Sequence, residues 1–251
     1  MTDPAFLDYR GFSLAYRFRP GRGPAVVFLP GYMSDMGGTK AEALDAWAAQ
    51  RGRALLRLDY SGCGASGGAF ADGTISRWTD DAAAVIAHVC PGPAVLVGSS
   101  MGAWIALRLA VTTPQLGVIT VAGAPDFTEW GLNLTDADRA ALARDGFVER
   151  PSLYGAPYRY HSGLIADGAA CRLLPGPIQL DCPVRLIHGQ ADPDVPWRLS
   201  LDVAAALRSL EGRSPDVQVR LVKDGDHRLS RAHDLALLTA TLDELETRCA
   251  P

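Results

Sequence analysis

The nine residues Ala94 to Gly102, AVLVGSSMG, constrain this chain more than any other stretch. Ala94 to Val97 read as a buried strand and Ala103 to Val111 as an apolar helix, which leaves only Gly98-Ser99-Ser100-Met101-Gly102 to turn the backbone. Reversing a strand into a helix over so few residues demands a strained backbone. Side chains two positions either side of the apex would collide with the strand before it and the helix after it. Glycines stand at both of those positions with Ser100 between them, which matches the nucleophile-elbow pattern G-x-S-x-G. Ser99 fits the apex less well, because Val97 and Met101 flank it two positions away.

On both sides of the elbow, short apolar runs alternate with helical stretches. Ala25 to Leu29 (AVVFL), Ala54 to Leu58, Gly117 to Val121, Val184 to His188 and Val217 to Val222 read as strands. Helices are expected over Thr39–Gln50, Ile75–Val89, Arg198–Leu210 and Ser230–Thr247. Leu7 to Phe18 alternates apolar and polar residues, as a half-exposed antiparallel pair does. Continuous apolar strands separated by helices mean βαβ units, so the expected fold is α/β, a doubly wound, mostly parallel sheet of about eight strands. The rhythm breaks between Ala124 and Pro177, which shows no clear strand, a polar helix near Asp136 to Arg144 and a Tyr-rich stretch, Tyr154 to Tyr160. The chain therefore reads as a single domain, residues 1–251, with a helical cap insertion over about residues 125–177.

Composition excludes several classes. A formal charge of −4 with no Lys/Arg run gives no footprint for nucleic acid. The five cysteines have no C-x-x-C spacing, which argues against a zinc site and a disulfide framework and for a reducing compartment. Met1 to Pro20 lacks the basic start and apolar run of a signal peptide, and no stretch reaches the roughly 18 apolar residues of a membrane span. A cytoplasmic location is the expectation.

A serine hydroxyl is a poor nucleophile at neutral pH and needs a histidine to take its proton and a carboxylate to orient that histidine. In a doubly wound sheet these groups belong in loops past the carboxyl ends of strands. The strand Val184–His188 runs into Gly189-Gln190-Ala191-Asp192-Pro193-Asp194, and Val217–Val222 runs into Lys223-Asp224-Gly225-Asp226-His227. Asp192 and His227 thus follow Ser100 in chain order, each shortly after a strand. Asp194 is the rival acid, and either aspartate would also serve to cap the next helix. Asp226 is too close in sequence to His227 to orient it easily. His88 and His233 lie within helices, His188 ends a strand, and His161 sits in the insert within reach of a substrate. An oxyanion needs two backbone N–H donors. Met101, opening the helix after the elbow, supplies one, and Tyr32 in Pro30-Gly31-Tyr32 is the candidate for the other. Cys63 reads as a small packing residue.

These residues carry a resemblance. The segments LPGYMSDMGGTKA (Leu29–Ala41), RLDYSGCGASGG (Arg57–Gly68), LVGSSMGAWIALRLA (Leu96–Ala110), CPVRLIHGQADPDVPW (Cys182–Trp197) and DGDHRLSR (Asp224–Arg231) resemble the α/β-hydrolase superfamily. More narrowly they are similar to its acyl-protein thioesterase and acyl-glucuronide esterase group (abhydrolase domain-containing protein 10-like). The resemblance implies Ser100 as nucleophile, Asp192 as acid, His227 as base, and Tyr32 and Met101 as oxyanion donors. It implies a serine hydrolase cleaving carboxylic ester or thioester bonds of a small-molecule or acyl-protein substrate through an acyl-enzyme. No metal and no organic cofactor is required. Peptidase or carbon–carbon hydrolase chemistry would use the same three residues, and a non-catalytic ligand-binding protein is the remaining alternative. Trp130, Tyr154, Tyr158 and Tyr160 suit an apolar acyl pocket, or equally the packing of the insert onto the sheet.

Overall fold

A computed structural model of the chain describes residues 3–152, 155–174, 176–210 and 215–249. The chain opens with β1 (Ala5–Tyr9), β2 (Phe12–Arg19) and β3 (Arg22–Leu29). It then alternates through α1 (Thr39–Arg51), β4 (Arg53–Leu58), α2 (Ile75–Val89), β5 (Val95–Ser99), α3 (Met101–Thr112) and β6 (Gly117–Val121). An irregular segment follows, with α4 (Phe127–Trp130), α5 (Asp136–Asp145), β7 (Phe147–Arg150), β8 (Tyr158–His161), α6 (Ser162–Ala170) and β9 (Ile178–Gln179). The chain closes with β10 (Val184–Gly189), α7 (Arg198–Ala206), β11 (Leu207–Arg208), β12 (Val217–Val222) and α8 (Ala232–Cys249).

Eight strands form the main sheet in the order β1-β2-β4-β3-β5-β6-β10-β12. β2 runs antiparallel to both its neighbours, and the six strands from β4 to β12 are parallel. Arg10 and Gly11 turn β1 into β2 with φ of 50° and 82°, the left-handed pair that suits a two-residue hairpin. The central strands are apolar throughout because helices cover both faces. Val27, Leu29, Leu96 and Val118 pack towards Trp78 and Val85 of α2 and Trp104 and Leu107 of α3. Their sequence neighbours Val26, Phe28, Val95 and Ile119 pack towards Leu44 and Trp47 of α1 and Leu238 and Leu242 of α8. Burying each such side chain stabilises the fold by about 1.5–3 kcal/mol, so the inner strands are the most strongly held part of the molecule. No described helix is long and apolar enough to cross a membrane.

The stretch between β6 and β10 differs from its sequence reading in one respect. Ala124 to Pro177 does contain strands: β7 and β8 pair antiparallel, Val148 opposite Tyr160 and Arg150 opposite Tyr158. Each is four residues long, too short to set up a visible alternation, and the tyrosines of β8 are part of the ribbon itself. The segment is moored to the body by two carboxylates. Asp167 of α6 accepts the Ser76 hydroxyl at 2.6 Å and the Ser76 N–H at 2.8 Å, and buried Asp126 accepts the N–H of Leu173 and of Leu174. Further on, the helix expected to reach Leu210 ends at Ala206, because Leu207 and Arg208 leave it to pair with Ile178 and Gln179.

Candidate active site

Four loops meet beyond the carboxyl ends of β3, β5, β10 and β12, where an open parallel sheet presents its crevice. The β5 loop is the sharpest. Ser100 holds φ 54° and ψ −119°, in a region costing a non-glycine residue about 1–3 kcal/mol. Its surroundings hold it there: its N–H donates to the Val121 carbonyl of β6 at 2.9 Å, and its carbonyl accepts from Ala103 of α3 and from Ala124 just past β6. A Cβ on Gly98 would lie 2.3 Å from the Gly102 carbonyl oxygen, and one on Gly102 would lie 2.1 Å from that of Leu29. No larger residue fits either position.

Ser100 Oγ stands 3.1 Å from His227 Nε2, and His227 Nδ1 stands 2.8 Å from Asp192 Oδ2. Facing a carboxylate, Nδ1 carries the proton, which leaves Nε2 to accept the Ser100 O–H. The Asp192 side chain is fully buried and that of His227 is 16% exposed. Burial alone would raise the Asp192 pKa. Hydrogen bonds from His188 and His227 outweigh it and hold the carboxyl well below the ordinary carboxylate range. Its other oxygen, Oδ1, accepts the N–H groups of Asp194 and Val195 at 2.8 and 2.9 Å.

Sequence reasoning placed His188 only as a strand end. Its side chain is fully buried, its Nε2 lies 3.2 Å from both Asp192 Oδ2 and the Val195 carbonyl, and its Nδ1 lies 2.7 Å from Ser200 Oγ. The sequence shows only a histidine four residues ahead of Asp192 at the end of a buried strand, which does not reveal the contact with Ser200.

The N–H groups of Tyr32 and Met101 have no acceptor among the described residues. Met101 opens α3, where first-turn N–H groups are unpaired and the helix dipole favours negative charge. Gly31 brings the Tyr32 loop close, since a Cβ there would lie 3.3 Å from Ser100 Cβ. Ser100, His227 and these two residues line a cavity of about 560 Å³. Phe127, Trp130, Tyr158 and Tyr160 line it as well, together with Tyr32. Tyr32 stacks on Tyr160 with centroids 4.9 Å apart, and its hydroxyl donates to the Arg159 carbonyl. Burial pushes the Tyr160 phenol up to about 12. Tyr154 lies outside the described residues. On the polar side of the cavity Lys40 donates to the Arg228 carbonyl at 2.5 Å, and burial lowers its ammonium to about 8.

The competing residues are placed differently. Asp194 lines the same cavity, with a carboxylate oxygen within 4.8 Å of Asp192 and His227, gives Asp192 its N–H and is exposed; Asp226 accepts from Leu229 N–H in its own turn. His161 packs between Phe70 and Phe147 and does not line the cavity. Cys63 is buried in the core, which pushes its thiol up to about 12.

The family model described as the alpha/beta hydrolase family matches residues 26–239. The chain belongs to the alpha/beta hydrolase family. It is 37% identical to the mitochondrial palmitoyl-protein thioesterase ABHD10 of Mus musculus over 243 residues, which cover 93% of this chain and 78% of that one. The Homo sapiens counterpart is 36% identical over 238 residues, covering 93% of this chain and 76% of its own. Among solved structures, mouse alpha/beta hydrolase domain-containing protein 10 superposes with a TM-score of 0.90 at 36% identity, covering 99% of this chain and all 100% of the other. A chain from Agrobacterium vitis S4 superposes with a TM-score of 0.90 at 41% identity, covering 98% of each. This member of the family is a hydrolase with the α/β-hydrolase fold.

Proposed function

We propose that this hydrolase cleaves carboxylic esters and thioesters of acyl substrates, with Ser100 as nucleophile, His227 as general base and Asp192 as the acid that orients it. The observation that carries the reading is the unbroken line Ser100 Oγ–His227 Nε2, His227 Nδ1–Asp192 Oδ2, at 3.1 and 2.8 Å, opening into an aromatic-walled cavity. His227 takes the Ser100 proton as Oγ attacks the acyl carbonyl. The charge on the carbonyl oxygen is met by the N–H groups of Tyr32 and Met101. The imidazolium, stabilised by ionised Asp192, then protonates the departing alcohol or thiol. A water, deprotonated in turn by His227, attacks the acyl-enzyme and releases the acid. The stretch of about residues 125–177 serves as the cap, its Tyr158, Tyr160 and Trp130 forming the acyl side of the cavity. The similarity to mitochondrial palmitoyl-protein thioesterases supports an acyl substrate, and the triad treats ester and thioester alike.

The test is hydrolysis of p-nitrophenyl esters, acyl-CoA and S-acyl peptides of graded chain length, alongside fluorophosphonate labelling and Ser100→Ala. Activity and labelling that both vanish with Ser100 are expected. Labelling without turnover on any of these would move the reading to a peptidase or carbon–carbon hydrolase, and neither would leave a ligand-binding protein.

A further inference from the structure

Asp192 is served by more donors than the proposed reaction uses. Both lone-pair sites of Oδ1 are taken by backbone N–H groups, and Oδ2 is shared between His227 at 2.8 Å and His188 at 3.2 Å. The protonation of His188 follows from its neighbours. The two groups at its Nε2, an ionised carboxylate and the Val195 carbonyl, only accept, so Nε2 carries a proton. In the neutral ring Nδ1 is then the acceptor, and the Ser200 hydroxyl, 2.7 Å away, donates to it. Ser200 lies in the first turn of α7 and is 2% exposed, and the His188 side chain is fully buried, so neither faces bulk solvent. His188 meets the ionisable Asp192 directly, and His227 and Asp194 lie within 4.8 Å of that carboxylate.

We infer that His188, oriented by Ser200, is a positioning residue for Asp192: its Nε2–H fixes the carboxylate and shares the negative charge that His227 would otherwise face alone. This rests on the proposed roles of Ser100, His227 and Asp192. A donor competing for Oδ2 tempers the basicity of His227, because charge held by one imidazole is less available to stabilise the protonated form of the other. It also keeps Oδ2 in line with Nδ1 as His227 gains and loses its proton. A buried histidine with a carboxylate, a carbonyl and a hydroxyl as partners has every nitrogen satisfied, and such a network is costly to leave half made.

The experiment compares His188→Leu, which keeps most of the bulk but lacks the donor, with His188→Gln, whose side-chain amide restores an N–H. Ser200→Ala removes the hydroxyl at Nδ1. Each is assayed for kcat, KM and the pH profile of kcat/KM on a p-nitrophenyl ester, and for the rate of fluorophosphonate labelling. The expected result for His188→Leu is a kcat lower by about tenfold to a hundredfold with KM within about threefold, as for loss of a hydrogen bond to a charged group. Its acidic limb shifts to higher pH, while His188→Gln recovers most of the rate. Ser200→Ala shifts both readouts the same way by a smaller amount, and carries the test if His188→Leu does not fold. Leucine and glutamine variants alike in rate and pH profile, whether both near wild type or both equally impaired, would overturn the inference, since packing would then be all that matters. A wild-type protein that neither labels nor turns over would instead overturn the parent reading, and this one with it.

Discussion

The buried carboxylate of Asp59 accepts the Met36 N–H at 2.7 Å, and its other oxygen accepts the Ala65 N–H at 2.9 Å. Asp59 stands just past β4, yet it ties down the loop that carries Tyr32 from β3. The Met36 carbonyl is held in turn by buried Arg57 at 3.3 Å. One side chain therefore braces two loops at the mouth of the sheet. Asp59→Ala is expected to lower unfolding stability by about 1–3 kcal/mol, the cost of leaving buried donors unmet. A larger loss in kcat than in KM is expected with it, because the Tyr32 N–H loses its support. Urea denaturation and steady-state kinetics on one ester check both.

Gly102 allows no side chain. Its Cβ would sit 2.1 Å from the Leu29 carbonyl oxygen and 2.6 Å from that of Pro30, both backbone atoms that cannot swing away. Gly102→Ala must push α3 off β3, and a destabilisation of roughly 1–3 kcal/mol or more is expected. A variant with wild-type denaturation midpoint would show that the helix has room to move.

Between the two aspartates of the β10 loop, the hydrogen bonds favour one. Asp192→Asn turns an acceptor at His227 Nδ1 into a potential donor and favours the wrong tautomer, so kcat should fall by roughly 10³- to 10⁴-fold. Asp194→Asn leaves the backbone N–H that Asp192 uses, and activity within about twofold is expected. A reversed order of effects would transfer the acid role to Asp194.

Acid should expose the Asp192 carboxylate thermodynamically. Its folded pKa lies well below the ordinary 3.8, so the unfolded chain takes up the proton first as pH falls. Its contribution to stability is therefore complete above the ordinary value and is lost as pH drops through 3.8 towards the folded value. The stability of wild type relative to Asp192→Asn, followed by denaturation from about pH 7 to about pH 3, should be constant at first and then decline. A difference that never changes would mean that the group titrates alike in both states.

Tyr160 links the insert to the β3 loop through its stack on Tyr32. Tyr160→Ala removes part of the cavity wall, and kcat/KM for long acyl chains should fall by about tenfold while short esters change little. Equal loss for all chain lengths would assign Tyr160 to packing alone.

Much of this was open to reading in the sequence because it is encoded locally. The alternation of apolar runs marks both faces of the central strands, and α2 and β12 begin and end where the pattern puts them. The spacing of Gly98 and Gly102 specifies the turn at Ser100, and the order of the loops points to Asp192 and His227 as the acid and base of the proposed triad. Tertiary structure decided what depends on side chains meeting across the chain. Ser100 and His227 are 127 positions apart, and Asp192 and His227 are 35 apart. Asp192 and Asp194 are both polar residues in one turn, and only the packed loop turns the first inward to His227. His188 read as a strand end, since nothing in its neighbourhood announces that Ser200, a helix away, will meet its ring. The β7–β8 ribbon escaped for a related reason. Strands of four residues hold together by pairing with each other and by stacking on Tyr32, and neither contact leaves a period in the sequence.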